Sequence, residues 1–272
     1  MTPSPPDIYF LHIPKTAGSS LAAMIRDAYP VQERLHVHQW NHIVRMDRDR
    51  IQQYRCYTGH FGTSFYSLLD RNIATITLLR DPCERSISHL LHAERDWERK
   101  LRGVWWIAPR WMRRKFRDGW TKPHTTSVMG NFQTRSLGVD VDLNPFLGKP
   151  SEKDYGFLLR DAQKGQTMEE ILERAKRRLD TMAVVGTVER FSESLDLICD
   201  FLNIPAPETP PVENVAPGRS IQNRYRASGE FPPEYIAAID AANEYDRQLY
   251  EYANQLMDRQ WEKRRVSSKA SV

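Results

Sequence analysis

The sequence predicts an α/β protein: a parallel sheet flanked by helices on both faces. Short apolar runs suited to buried strands alternate with longer segments whose apolar residues recur at helical spacing. The runs at 8–11, 73–79 and 183–186 are each followed by such a segment. Because parallel strands are joined by crossovers, this order favours one sheet with its ligand at the carboxyl ends of the strands.

Composition sets the broad class. The chain has 272 residues, 40% hydrophobic and 27% charged, which fits a single globular domain over 1–272. A net charge of +4 suits an anionic ligand without indicating nucleic acid, so no nucleic-acid partner is expected. Three cysteines without a CxxC pair, and no apolar run suited to a membrane span or signal peptide, favour a cytoplasmic protein. We expect a disordered lead over 1–7 and a frayed tail over 264–272.

The segment that organises the chain is HIPKTAGSS at 12–20. It lies between a predicted strand, Ile8–Leu11, and a helical pattern over 21–29 that Pro30 ends. Ser19 or Ser20 would be the helix N-cap. Backbone N–H groups at the helix start, the cation of Lys15 and nearby hydroxyls would form an anion cradle. The loop is not a Walker A motif, because Pro14 precedes Lys15 where that motif has glycine.

A second candidate anion site follows the strand at 73–79. Arg80 stands at the strand's end, Asp81 is a predicted helix cap and Pro82 suits the first helical turn. Ser88 lies eight positions after Arg80. A guanidinium and a hydroxyl so placed can converge on one phosphate. The alternative is a surface ion pair of Arg80 with Asp81 or Glu84, and the presence of the first site favours the phosphate interpretation.

Together these two segments resemble the sulfotransferases that use 3′-phosphoadenosine 5′-phosphosulfate (PAPS), in the branch of heparan sulfate 2-O-sulfotransferases and related bacterial sulfotransferases. The resemblance is strong over 8–92 and weak over 183–256. It implies the sulfotransferase fold, with a P-loop-like parallel sheet, PAPS as donor, its product PAP, and no metal. The residues it implies in cofactor binding are Lys15, Thr16, Ala17, Gly18, Ser19 and Ser20 at the 5′-phosphosulfate, Arg80 and Ser88 at the 3′-phosphate, and Arg219 in a basic loop.

His60 is the candidate catalytic base. It lies in CYTGHF at 56–61, a predicted short strand or strand end, twenty residues before Arg80. In the family that this segment resembles, a histidine in a Gly-His step at this place is the base. Lys15 is the second candidate catalytic residue, because it can stabilise charge on the departing phosphate. An imidazole with an ordinary pKa of about 6.5 can take a hydroxyl proton at neutral pH. The alternative is a structural histidine hydrogen-bonded to a backbone carbonyl.

Other features stay open at the level of sequence. His36, His38 and His42 have a spacing that could hold zinc, but without a nearby cysteine or carboxylate a structural or acceptor-contacting role is favoured. Residues 94–150 form a predicted acceptor-binding insert, rich in arginine and tryptophan over 94–124. A lid, a membrane-surface helix and a solvated helical pair all fit its composition. The segment 131–137 resembles an acceptor-side segment of bacterial members.

The last third of the chain predicts mainly helices. Residues 149–166 are polar and suggest a loop. Thr167 and Glu170 form a capping-box pattern that starts a helix, and Ala183–Gly186 suggests a strand followed by a helix to Leu202. One final helix would bury apolar residues from Ile236 to Leu256.

The predicted function is transfer of a sulfuryl group from PAPS to a hydroxyl of a glycan, lipid or natural product. Two alternatives stay open: a nucleotide kinase of the P-loop class, and a nucleotide-binding protein without turnover.

Overall fold

The computed structural model describes residues 4–100, 119, 129–149, 155–208, 225, 228–229 and 231–270. Arg219 therefore lies outside the described residues, as does most of the arginine- and tryptophan-rich stretch.

The described ranges contain one four-stranded parallel sheet in the order β2-β1-β3-β4. The strands are β1 Ile8–Leu11, β2 Cys56–Gly59, β3 Ala74–Leu79 and β4 Val184–Thr187. Leu11 pairs with Gly59 of β2 and with Thr77 of β3, so the carboxyl ends of these three strands lie at one edge. The prediction of an α/β protein with a parallel sheet is confirmed.

The helices connect and cover these strands. They are α1 Gly18–Asp27, α2 Trp40–Ile43, α3 Arg48–Gln52, α4 Pro82–Lys100, α5 Phe132–Gly138, α6 Tyr155–Ala162, α7 Met168–Thr181, α8 Phe191–Leu202, α9 Pro233–Ala242 and α10 Glu244–Ala270. Short 3-10 turns occupy Val31–Glu33, Gly62–Leu68 and Asn144–Phe146. The capping box that starts α7 is present, with the Thr167 side chain and Glu170 bonding each other's backbone N–H.

Both faces of the sheet are buried, as parallel sheets require. On β1, Tyr9 and Leu11 belong to one apolar cluster while Ile8 and Phe10 belong to another. This alternation follows from the two-residue period of a strand. Helices α1 and α8 cover the second face, and α5, α7 and α10 contribute to the first.

The structure differs from the sequence prediction at the start of α1. The N-cap is Ala17, not Ser19 or Ser20, and no side chain caps the helix. The backbone turns into the helix through a left-handed conformation at Ala17, which places both serines inside the first turn.

A second difference concerns 149–166, where the predicted loop is wrong over the part that the structure describes. Residues 155–162 form helix α6. Tyr155, Leu158 and Leu159 are buried at helical spacing, and the Tyr155 hydroxyl donates to the Phe61 carbonyl at 2.6 Å. These core contacts stabilise a helix whose surrounding sequence is polar.

The predicted final helix is divided into α9 and α10 at Asn243. The side-chain amide of Asn243 donates to the Ile239 carbonyl at 2.7 Å, and its oxygen accepts the Asn131 N–H at 3.1 Å. Helix α10 continues to Ala270, whereas a frayed tail was expected from Arg264. At the other terminus, Asp7 in the expected lead forms an ion pair with Arg55 at 2.6 Å.

Candidate functional site

Three predicted site residues follow three neighbouring strands at the same edge of the sheet. Lys15 lies in the loop after β1, His60 directly follows Gly59 of β2, and Arg80 directly follows Leu79 of β3. The Arg80 guanidinium reaches the first loop, since its Nη1 donates to the Lys15 carbonyl at 3.3 Å. The two segments predicted to bind the two ends of one nucleotide therefore meet.

The loop between β1 and α1 has an unusual backbone. Lys15 and Ala17 have φ values of 73° and 56°, in the left-handed region that residues with a Cβ avoid. Each such residue costs on the order of 1–3 kcal/mol, and conformations of this kind concentrate at ligand sites. Alternating backbone handedness turns successive N–H groups inward as a nest that binds anions. The first N–H groups of α1, at Gly18 and Ser19, have no acceptor within the helix.

The hydroxyls of this loop divide into two sets. Thr16 is fully buried and its hydroxyl donates to the Ile13 carbonyl at 2.9 Å, so its one hydrogen already holds the loop together. Ser20 is also buried within α1, with 1% of its surface exposed. Ser19 is half-buried. The cofactor contacts expected of Thr16 and Ser20 stay predictions, and Ser19 is the most accessible of the three hydroxyls.

Glycine is required at position 18 by a close approach. A Cβ there would lie 2.0 Å from Cδ2 of His12, well inside contact distance. The His12 ring is stacked on Phe10 with a centroid distance of 5.4 Å, so it has little room to withdraw. The absence of a side chain at Gly18 thus lets α1 start directly against the His12 ring.

The electrostatics of the loop favour an anion. Burial lowers the pKa of Lys15 to about 8, and the neighbouring cations Arg95 and Arg80 act in the same direction, against a smaller opposing effect of Asp96. Three cationic side chains therefore share one region. An anion binding among them would relieve their repulsion and raise the Lys15 pKa again.

Arg80 is held in place by a residue far away in sequence. The Gln133 side chain accepts the Arg80 N–H at 3.0 Å and donates to the Arg80 carbonyl at 2.9 Å. Gln133 is completely buried at the start of α5. Arg80 also lies 3.9 Å from Glu84, but both side chains are less than a tenth exposed, so this is not the surface ion pair considered from the sequence. Ser88 is half-buried further along α4.

His60 has the hydrogen bonds of an oriented imidazole. Its Nδ1 lies 2.7 Å from the His12 carbonyl, which can only accept, so Nδ1 carries the hydrogen. In the neutral ring the lone pair is then on Nε2, the nitrogen that can take a proton. The His60 backbone N–H donates to the His38 carbonyl at 2.7 Å. The sequence analysis gave a structural histidine bonded to a backbone carbonyl as the alternative for His60, and such a bond is present. The same bond, however, holds the ring in the tautomer that a general base needs.

His12 is a site residue that the sequence analysis did not assign. Its ring lies 4.3 Å from that of His60, centroid to centroid, and its carbonyl orients His60. Burial, followed by the charges of His60, His38 and Lys15, holds its pKa well below the usual value. A signal was present, because His12 and His60 are each the first residue after adjacent paired strands. Gln133 gave no comparable signal.

Two histidines on α4 also face this region. Burial lowers the pKa of His89 to about 3, and the charges of Arg85, Lys15, His92 and His60 act in the same direction. The pKa of His92 is lowered by burial and by Lys15, although Asp96 lies 3.5 Å away. Neither was singled out from the sequence.

The three histidines considered for zinc are exposed. Within the described residues, no three His, Cys, Asp or Glu side chains are grouped as metal ligands. The His38 ring bonds the Thr58 carbonyl at 3.1 Å, which links its segment to β2.

Among the residues that the structure describes, no helix is long and apolar enough to cross a bilayer. In comparisons with models of protein families and with curated proteins, the chain matches none.

Proposed function

We propose that the protein is a PAPS-dependent O-sulfotransferase with the sulfotransferase variant of the α/β fold. The observation that carries the proposal is the meeting of the two predicted phosphate segments through the bond from Arg80 Nη1 to the Lys15 carbonyl, at 3.3 Å, beside an oriented His60. PAPS carries a phosphosulfate at its 5′ position and a phosphate at its 3′ position. Binding it therefore requires two cationic sites close together, as at this edge of the sheet.

The residues fit such a donor chemically. The nest and helix start at 15–19 suit the 5′-phosphosulfate, while Lys15 supplies a positive charge next to it. The Arg80 guanidinium, with Ser88 on α4, suits the 3′-phosphate. The buried Gln133 clamp keeps the Arg80 backbone fixed, so that little order must be gained on binding.

The proposed reaction is in-line transfer of the sulfuryl group to an acceptor hydroxyl. Nε2 of His60 takes the hydroxyl proton as the acceptor oxygen forms its bond to sulfur. The bond from sulfur to the 5′-phosphate oxygen breaks, and PAP leaves. Lys15 stabilises the negative charge that develops on that oxygen. No metal takes part in this scheme, so chelation should leave the rate unchanged.

The proposal is tested by comparing PAP with adenosine 5′-monophosphate, which differs only in lacking the 3′-phosphate. Loss of a charge-assisted contact to Arg80 should weaken binding by roughly a hundredfold, or about 2–3 kcal/mol. Arg80→Lys keeps the positive charge but loses the planar guanidinium that can form two parallel hydrogen bonds. In this variant the difference in affinity between PAP and adenosine 5′-monophosphate should be smaller. Equal affinity of the wild type for both nucleotides contradicts the assignment, and magnesium-dependent phosphoryl transfer from ATP would favour a kinase.

A further inference from the structure

A cavity lies between α4 and α9, next to the proposed site. Its volume is about 30 Å³. The apolar side chains that line it are Leu90, Tyr235, Ala238, Ile239 and Ala242.

One side of the cavity is formed by Arg85, which is only 1% exposed. Its Nη2 donates to the Met129 carbonyl at 3.1 Å, and the guanidinium lies over the Phe132 ring at 5.2 Å. Its Nε and Nη1 are buried and, among the described residues, have no hydrogen-bond partner. Leaving two buried donors of a cation unpaired is costly unless a ligand or water completes them.

The charges around Arg85 point to an anion. Arg85 and Arg135 are both 1% exposed, and Asp246, fully buried, is the carboxylate whose charge acts on both. Asp246 also accepts the backbone N–H groups of Gln133 at 3.1 Å and Thr134 at 2.7 Å. Both guanidinium groups thus lie near Asp246, and an anion in the cavity would place a negative charge next to the unpaired nitrogens of Arg85.

His89 places the cavity beside the proposed nucleotide site. It lines the cavity and directly follows Ser88 on α4, the residue proposed at the 3′-phosphate. The charges of Lys15 and His60 also contribute to its lowered pKa. Because burial keeps His89 neutral, it adds no charge to the cavity at neutral pH.

We propose that this cavity binds the carboxylate end of an amphipathic organic acid, with the carboxylate on Arg85 and the hydrocarbon against α9. We further infer that a hydroxylated acid of this class is the acceptor of the sulfuryl group, and this second step rests on the proposed function. The lining combines the polar residues Arg85, Ser86, His89 and Asn243 with apolar side chains, which suits a ligand with one charged end and a hydrocarbon chain. A carboxylate also supplies the acceptor-only oxygens that Nε and Nη1 of Arg85 lack.

The test uses hexanoate and hexan-1-ol, which share a chain and differ in charge, titrated against the full-length protein by calorimetry. Hexanoate should bind roughly tenfold to a hundredfold more tightly, because only the carboxylate forms charge-assisted bonds. Equal binding of both, or binding of neither, overturns the proposal. This comparison uses the wild type, so it does not depend on a buried arginine variant that might not fold.

Matched variants on α9 locate the site. Ala238→Phe fills the cavity and should abolish hexanoate binding, while Ala237→Phe, at an exposed neighbouring position on the same helix, should leave it intact. Unchanged binding in Ala238→Phe overturns the location. PAP added at saturation should not displace hexanoate, and if it does, the cavity belongs to the nucleotide and not to an acid.

The carboxylate site in the cavity and the sulfotransferase function are contradicted by different results. Retained hexanoate binding with no preference for PAP over adenosine 5′-monophosphate supports the carboxylate site and contradicts the sulfotransferase function. A clear preference for PAP without hexanoate binding supports the function and contradicts the cavity as an acid site.

Discussion

His60 is the residue on which the proposed chemistry depends most. We expect His60→Ala to lower kcat by about 10²–10⁴-fold, since a positioned general base contributes that much. PAP affinity should stay near that of the wild type, because the base contacts the acceptor and not the nucleotide. The measurement is the rate of PAP release from PAPS, with PAP binding followed by calorimetry.

His42→Ala is the matched control, since His42 is exposed and lies outside the sheet edge. His42→Ala should change neither kcat nor the affinity for PAP. Full turnover by His60→Ala would make His60 structural, as the backbone carbonyl at 2.7 Å from its Nδ1 also permits.

Lys15 gives nucleotide binding a predictable pH dependence. In the free protein its pKa is lowered to about 8 by burial and by Arg95 and Arg80, and a bound polyanion would raise it. Protonated Lys15 is then favoured in the complex, so affinity is full below the free pKa and falls as pH rises above it. PAP affinity should fall by about tenfold for each pH unit above that value, until the pKa of the complex is reached.

The comparison is PAP binding by wild type and by Lys15→Arg at several pH values from neutrality upward. Arginine stays charged over this range, so the variant's affinity should be nearly constant. A wild-type profile as flat as that of Lys15→Arg would show that Lys15 does not face the nucleotide.

At the scale of elements, α5 and α10 cap each other. Asp246 of α10 accepts the N–H groups of Gln133 and Thr134 in the first turn of α5. In return, the Asn131 side chain accepts the N–H groups of Tyr245 at 2.9 Å and Asp246 at 3.1 Å. Each helix start is therefore satisfied by a side chain from the other helix, and the Gln133 clamp on Arg80 rests on this arrangement.

We expect Asp246→Ala to lower the free energy of unfolding by about 3 kcal/mol, because it orphans two buried N–H groups and removes the counter-charge of two buried guanidinium groups. PAP affinity should fall with it, since Gln133 would no longer be fixed. The measurements are denaturant unfolding and PAP titration.

Glu251→Ala serves as the control on the same helix, where Glu251 is exposed and pairs with Arg247 at 3.1 Å. It should stay within about 0.5 kcal/mol of wild type. If the free energy of unfolding of Asp246→Ala also stayed this close to that of the wild type, the reciprocal caps would contribute nothing to stability.

These elements also show what could be predicted from the sequence. Strand β1 and the capping box at Thr167 were predictable, because their signals lie within a few consecutive residues. The Gln133 clamp was not, since it joins positions 53 residues apart, and no local pattern distinguishes a glutamine that binds a distant backbone from one in solvent. Helix α6 was missed for the same reason, because its buried face is defined by the distant Phe61. Local patterns thus identified the segments of Lys15 and Arg80, and the family resemblance identified His60. The contacts that hold these residues are tertiary and could not be predicted from the sequence.

At the scale of the whole molecule, the sheet edge concentrates positive charge and histidines. Two histidines with strongly lowered pKa values, the buried His12 and the half-buried His89, belong to different elements. Each must stay neutral in the folded protein, and each can be protonated once the chain unfolds. Acid should therefore destabilise the fold through the same region that is proposed to bind the nucleotide.

The lowered pKa of His89 determines the direction in which stability changes with pH. The His89 pKa falls from its ordinary value of 6.5, expected for the unfolded chain, to about 3 in the folded protein, so between these values the unfolded chain binds more protons. Stability is then full above the upper value and is lost as pH falls through the window. Each such histidine contributes up to about 1.4 kcal/mol per pH unit. We expect urea unfolding to show a clear loss of stability between neutrality and about pH 5.

His89→Gln removes one of these titrations while keeping a polar side chain of similar reach. The free energy of unfolding of this variant should depend less steeply on pH over the same window. The reduction in slope should be at most the contribution of one histidine. His36→Gln, at an exposed position, should leave the wild-type slope unchanged. PAP should add stability at every pH, because it binds only the folded state, and this increment should not require His89. An unaltered slope in His89→Gln would contradict the lowered pKa of His89, because a histidine with the same pKa in the folded and the unfolded chain adds nothing to the slope.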